Sequence, residues 1–159
     1  MTINSIGLDT KKTKAIAGDL NHLLANFQIY YQNLRGIHWN IKGKRFFALH
    51  EKFEELYTDA NLKVDEIAER ILTLGETPLH TFEDYSKAAK VPVGKNISED
   101  EKAVKLIVDS LSELLKFERQ ILEASGDAND EGTNSMMSDF ITEQEKTVWM
   151  MKAWLGESV

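Results

Sequence analysis

No cysteine occurs anywhere in the chain. That excludes structural disulfides, thiolate zinc sites, cysteine-ligated iron–sulfur clusters and cysteine nucleophiles. Any metal must be held by imidazole and carboxylate. Proline is nearly as scarce: Pro78 and Pro92 are the only two, so long uninterrupted helices are open to almost every other segment. The glycines are dispersed and form no phosphate-cradling motif, and no serine sits in a nucleophile elbow. No apolar run approaches the length of a membrane span. The opening MTINSIGLDTKK lacks the apolar stretch of a secretory signal. A soluble, cytoplasmic protein is the expectation. Basic residues number 19 against 26 acidic ones, and the resulting charge of −7 works against generic nucleic-acid binding while favouring cations.

What is present is ordinary globular composition, 42% hydrophobic and 28% charged, in a length suited to one domain over 1–159. Ile16, Leu20, Leu23, Phe27, Tyr30 and Leu34 alternate spacings of four and three, which predicts a first helix at about 9–38, ended by Gly36 and the loop to Gly43. A second helix is expected from Phe46 to Leu74, with Gly75 beyond its end and Pro78 forbidding continuation. The connection at about 76–97 holds both prolines and room for a short helix around Phe82–Ala89. Ser98 with Glu101 reads as a capping box opening a third long helix, striped by Val104, Ile107, Leu111, Leu114 and Ile121 and ended by Gly126. A fourth is expected over about 131–155, with Met137, Phe140, Ile141, Val148, Met151 and Leu155 inward. Two short connections and one long crossover predict an all-α, ferritin-like four-helix bundle.

The second helix divides into three faces at about 100° per residue. Phe46, Phe53, Tyr57, Ala60, Val64, Ile67 and Ile71 form the core stripe. Lys52, Glu55, Asp59, Lys63, Glu66 and Arg70 form a charged, solvated one. Between them run Phe47, His50, Glu54, Thr58, Asn61, Asp65, Ala68, Glu69 and Leu72. Taken singly, Glu54, Asp65 and Glu69 read as surface carboxylates and His50 as a helix histidine. Taken jointly, they form a stripe of ligand-type groups closed at both ends by hydrophobes, and His38 returns to the same end of the bundle. Imidazole and carboxylate together suit non-haem iron, with zinc and manganese as compatible competitors. The Glu-x-x-His pair of di-iron bundles is absent; its nearest relative, Asp19-x-x-His22, reads as a chance polar neighbour, and His80 as a surface residue.

His38-Trp39-Asn40, Gly43, Phe47, Leu49-His50, Phe53, Tyr57, Asp65, Ala68-Glu69-Arg70, Leu74-Gly75 and TVWMMKAWLG at 147–156 strongly resemble the Dps mini-ferritins, the DNA-binding proteins from starved cells. The resemblance implies a hollow dodecameric shell that oxidises iron(II), preferably with hydrogen peroxide, and stores the ferric mineral. It implies a site between subunits, with His38 and His50 from one, and Asp65 and Glu69 from its partner. Glu54 matches a further ligand position that is often aspartate, and Trp39 a tryptophan near the site whose role is redox or simple packing. It also places Asp130, Glu131 and Asp139 at an iron-entry pore, with Ser135 where some members carry another acid; dipole complementation at the helix start explains Asp130 and Glu131 equally well.

Spacing supports the division between subunits. His50 and Glu54 precede Asp65 and Glu69 by fifteen residues, or ~22 Å of helix, far beyond the reach of one metal ion. An antiparallel pairing of two copies about Thr58–Asn61 closes that gap twice over.

The competing functions are a nucleoid-condensing DNA module, a purely structural helical assembly and a substrate-oxidising di-iron oxygenase. The missing Glu-x-x-His pair weighs against the oxygenase, and the bracketed stripe against a structural role. Acidic charge weighs against the DNA module, as does a tail with no basic residue before Lys11. Lys11, Lys12 and Lys14 read as solvated, and Lys42, Lys44 and Arg45 form one small cluster. DNA binding is therefore expected to be weak or absent: a gel shift at physiological salt without divalent metal should show no retarded complex, and a stable one would overturn the expectation.

Overall fold

The computed structural model describes residues 1–159. Its five helices are α1 (Thr10–Asn40), α2 (Phe46–Thr73), α3 (Phe82–Ala88), α4 (Asp100–Asp127) and α5 (Glu131–Trp154). α1 packs on α2, α4 packs on α5, and α1 also lies against α4 and the short α3. This is the all-α, ferritin-like bundle with a helix in its crossover. None of the helices is long and apolar enough to cross a membrane.

α1 begins where Asp9 accepts a hydrogen bond from Lys12 N at 2.9 Å, satisfying one of the first turn's orphan amides. All six residues of its predicted stripe are at most 4% exposed. The helix does not stop at Gly36 but continues to Asn40. A single glycine costs a helix about 1 kcal/mol, less than the burial of Ile37 and His38 beyond it returns. Lys12, expected in solvent, donates to Asp127 O at 2.7 Å and so covers a carbonyl at the negative end of α4.

The far end of α2 matches expectation. Gly75 has φ +92°, its N–H reaches Leu72 O, and Glu76 N reaches Ile71 O, the paired bonds of a left-handed helix stop. The bounds of α4 differ from the reading of Ser98 and Gly126. The Ser98 carbonyl accepts from Lys42 N at 3.0 Å, and Asp100 is ion-paired to Arg45. With both tied to the α1–α2 loop, Glu99 becomes the N-cap and makes no side-chain capping bond. At the other end Gly126 stays helical, and Asn129 takes the left-handed conformation at φ 57°, with Asp130 N closing onto Ser125 O at 2.8 Å.

Three asparagines of α1 hold the crossover. Asn21 donates to Thr77 O and accepts from Leu79 N. Asn26 accepts from Lys90 N and Val91 N. Asn33 donates to Pro92 O and accepts from Gly94 N. An irregular segment is thereby tied to α1 through its backbone, and the buried Val91 N–H finds a partner.

The charged face of α2 is not uniformly solvated. Lys63 is 4% exposed, bonded to Asp59 and, across the bundle, to Glu143 of α5 at 2.7 Å. Burial alone would push its ammonium pKa down, but the two carboxylates outweigh that and hold it above the usual lysine range. Arg70 likewise reaches Asp130 and Thr133 of α5. These long cations link α2 to α5, and Gly132 makes room for one: a β-carbon there would lie 2.8 Å from the Arg70 guanidinium.

Between α4 and α5 the core holds a polar pair. Glu118 is 0% exposed, Gln144 is 5% exposed, and all four of their side-chain N and O atoms lack hydrogen-bond partners. Desolvation pushes the Glu118 carboxyl up to about 8, against smaller opposing effects of Gln144, Lys63 and Arg119. The native state therefore holds a proton that the unfolded chain releases above its ordinary value of 4.5, so this group's contribution falls as pH rises from there to about 8. Glu118→Gln, an isostere of the protonated acid, should remove that slope. Its unfolding midpoint at pH 8 should rise, by about 2–4 °C for each kcal/mol regained in a chain of this length, checked by calorimetry across the pH range.

Candidate metal centre

His38 lies in the last turn of α1 and His50 near the start of α2, so the short loop at 41–45 brings them face to face. Their rings stack with centroids 3.8 Å apart and planes 11° from parallel. Each Nδ1 meets the other's backbone carbonyl, His38 Nδ1 to His50 O at 2.6 Å and His50 Nδ1 to His38 O at 2.7 Å. A carbonyl accepts and never donates, so each Nδ1 carries the proton. The lone pair of each neutral ring is left on Nε2. The His38 carbonyl is free for this role because it ends a helix, and the next amide in line, Lys42 N, turns away to Ser98 O.

Aromatic rings fix the pair from outside. Phe46 stacks on His50 at 4.8 Å, and Tyr57 meets His38 edge-on at 5.3 Å. Tyr57 also donates from its hydroxyl to Glu54 Oε1 at 3.0 Å. Two imidazoles with oriented Nε2 atoms make an incomplete ligand set for a divalent transition metal, and Glu54 follows one turn after His50 on α2.

The remaining predicted ligands are elsewhere on α2. Asp65 and Glu69 lie exposed on the same helix, along with Thr58 and Asn61. No three His, Asp or Glu side chains within the chain are placed to hold a metal ion. The hydrophobes that bracket the stripe are strongly exposed, Phe47 at 84% and Leu72 at 58%. Trp39 is also half exposed, its ring covered by the Arg35 guanidinium at 4.8 Å. Asp19, His22 and His80 are exposed.

The predicted pore residues divide. Glu131, Ser135 and Asp139 are exposed, but Asp130 is 1% exposed. Its carboxylate accepts from Thr133 N and Oγ1 as the N-cap of α5 and is ion-paired to Arg70. Three bonds within the chain already engage its carboxylate, so Asp130 anchors the start of α5 to α2.

Two contributors were hidden in the sequence. Tyr57 carries a core-stripe position, and nothing in its spacing signals that its hydroxyl turns to Glu54. Lys63 has the period of a solvated residue; Asp59 four residues earlier hinted at a pair, but Glu143 is remote in sequence.

Residues 17–158 match the family model for the ferritin-like domain. The chain is 43% identical over 148 residues to the DNA protection during starvation protein of Porphyromonas gingivalis, covering 93% of each. Its fold superposes with a TM-score of 0.95, at 53% identity and 98% coverage of both chains, on the Dps protein of Vibrio cholerae O1. That Vibrio protein is a member of a broad superfamily of ferritin-like diiron-carboxylate proteins. The Dps protein of Bacillus brevis is similar at a TM-score of 0.89 and 33% identity, over 93% of this chain and 99% of that one.

Replacing Asp130 tests its role directly. Asp130→Ala should cost about 2–4 kcal/mol in denaturant unfolding, because it removes a cap and leaves Arg70 without its buried partner. Asp139→Asn, at an exposed position, should change stability by less than about 0.5 kcal/mol.

Proposed function

Because the chain belongs to the Dps family of ferritin-like proteins, we propose that it stores iron after oxidising iron(II) at sites shared between subunits, with hydrogen peroxide as oxidant. Two iron(II) ions and one peroxide, with two protons, give two iron(III) ions and two waters. Consuming both reactants together keeps peroxide from meeting free iron(II), which is the protective consequence. The assembly is a dodecameric shell built from two-fold dimers.

The observation that carries this reading is the reciprocal imidazole lock, which leaves Nε2 of both His38 and His50 as metal-binding atoms. A histidine ligand whose other nitrogen is held by a carbonyl keeps one tautomer and one orientation. Glu54 adds a carboxylate beside the pair. Asp65 and Glu69 of the partner subunit would complete each site, and their carboxylates balance the charge of the incoming cation. A two-fold contact along the exposed stripe of α2 supplies them twice per dimer, with Phe47 and Leu72 covering the ends. Glu131 and Asp139 remain as acids that would draw iron(II) towards an entry route. A primary role in DNA condensation has less support, since net negative charge opposes phosphate binding.

Complementation tests the shared site. Shells of His38→Ala/His50→Ala subunits, and shells of Asp65→Ala/Glu69→Ala subunits, should each oxidise iron(II) at least about tenfold more slowly than wild type. In a mixed dimer one site loses all four ligands and the other keeps all four. Co-assembled shells, titrated anaerobically with iron(II) and then given peroxide, should recover activity in proportion to mixed dimers counted by native mass spectrometry. No recovery in verified mixtures refutes the shared site.

A further inference from the structure

We infer that Tyr57 is a positioning residue for Glu54, fixing one oxygen of that carboxylate so that the other is presented to iron beside His38 and His50. The inference rests on the metal centre described under the proposed function and adds a residue to its working parts.

Glu54 is exposed on α2, and an exposed glutamate is free to sample many rotamers, a freedom lost when it is held. Tyr57, three residues later and hence on the neighbouring turn, donates to Glu54 Oε1 at 3.0 Å. Oε2 has no hydrogen-bond partner within the chain. The anchor is itself packed between two rings. The Tyr57 ring meets Tyr31 edge-on at 6.0 Å and 80°, and His38 edge-on at 5.3 Å and 79°. His38 in turn is stacked on His50 and bonded to its carbonyl. An unbroken series of contacts thus runs from the two locked imidazoles through Tyr57 to the carboxylate. Holding one oxygen of Glu54 in place beforehand cuts the ordering cost of binding through the other.

Tyr57→Phe tests this, since it keeps both edge-on ring contacts and deletes only the hydroxyl. Cobalt(II) serves as an air-stable probe whose visible absorption reports the ligand set. On assembled full-length protein, with particle mass and melting checked, Tyr57→Phe should weaken cobalt(II) binding by roughly 3–10-fold, as expected for losing one solvent-exposed hydrogen bond. It should also change the visible spectrum, and raise KM for iron(II) by more than it lowers kcat. In a Glu54→Ala background the same substitution should have no further effect on cobalt(II) binding. An unchanged affinity and spectrum in Tyr57→Phe overturns the inference, as does equal weakening with and without Glu54. His38→Ala/His50→Ala separates the two levels. If it abolishes cobalt(II) binding while Tyr57→Phe does nothing, the positioning role alone fails. If it leaves binding intact, the metal centre itself fails and the positioning role with it.

Discussion

The pair of hydrogen bonds exchanged by His38 and His50 couples the architecture of the bundle to its chemistry. Each ring is held by a backbone carbonyl of the other helix, so the ends of α1 and α2 are joined and both tautomers are set by one device. The surrounding features maintain it. The Lys42 amide turns aside to Ser98 O, leaving the His38 carbonyl free, and Phe46 and Tyr57 close the rings in. The α1–α2 loop is stapled in turn to the start of α4 by Arg45 and Asp100, so the local geometry is braced by the rest of the bundle.

Two populations of charged groups in this molecule have opposite settings. Those that link helices each pair one buried group with a more accessible partner: Lys63 with Glu143, and Asp130 with Arg70. Breaking one leaves a stranded charge, which is why such pairs are costly to disturb even when their net contribution is small. The stripe of α2 that carries Glu54, Asp65 and Glu69 is instead exposed beside large hydrophobes. A contiguous face of that composition is characteristic of an interaction surface. Glu118 and Gln144 belong to neither population, being buried and without partners.

Helical periodicity made the architecture readable in advance. The α1 stripe, the run of α2 to Gly75 and the short helix in the crossover all follow from apolar spacing, two prolines and one glycine. The misread ends share a cause. Ser98 and Gly126 have the right side chains for a cap and a stop, but Lys42 and Arg45, more than fifty residues away from the α4 start, decide where that helix begins, and Asn129 supplies the left-handed turn instead. Spacing also put His38 and His50 at one end of the bundle. It carried no information about the crossed carbonyl bonds, which depend on how two helix termini meet. The burial of Asp130 and Lys63 was hidden for the same reason: an acid at a helix start and a lysine on a charged face say nothing of what lies opposite.

The asparagines of α1 bear on how the crossover can diverge. A side-chain amide donates and accepts at once, so Asn21 and Asn33 each grip a carbonyl and an N–H of the facing segment, while Asn26 takes two successive N–H groups. What they hold is main chain, present whatever side chain is attached. The instructions for the path of the crossover are therefore written largely in another element. Residues along it whose side chains point outward can drift through mutation without rerouting it, whereas each amide lost from α1 would release two of its backbone groups.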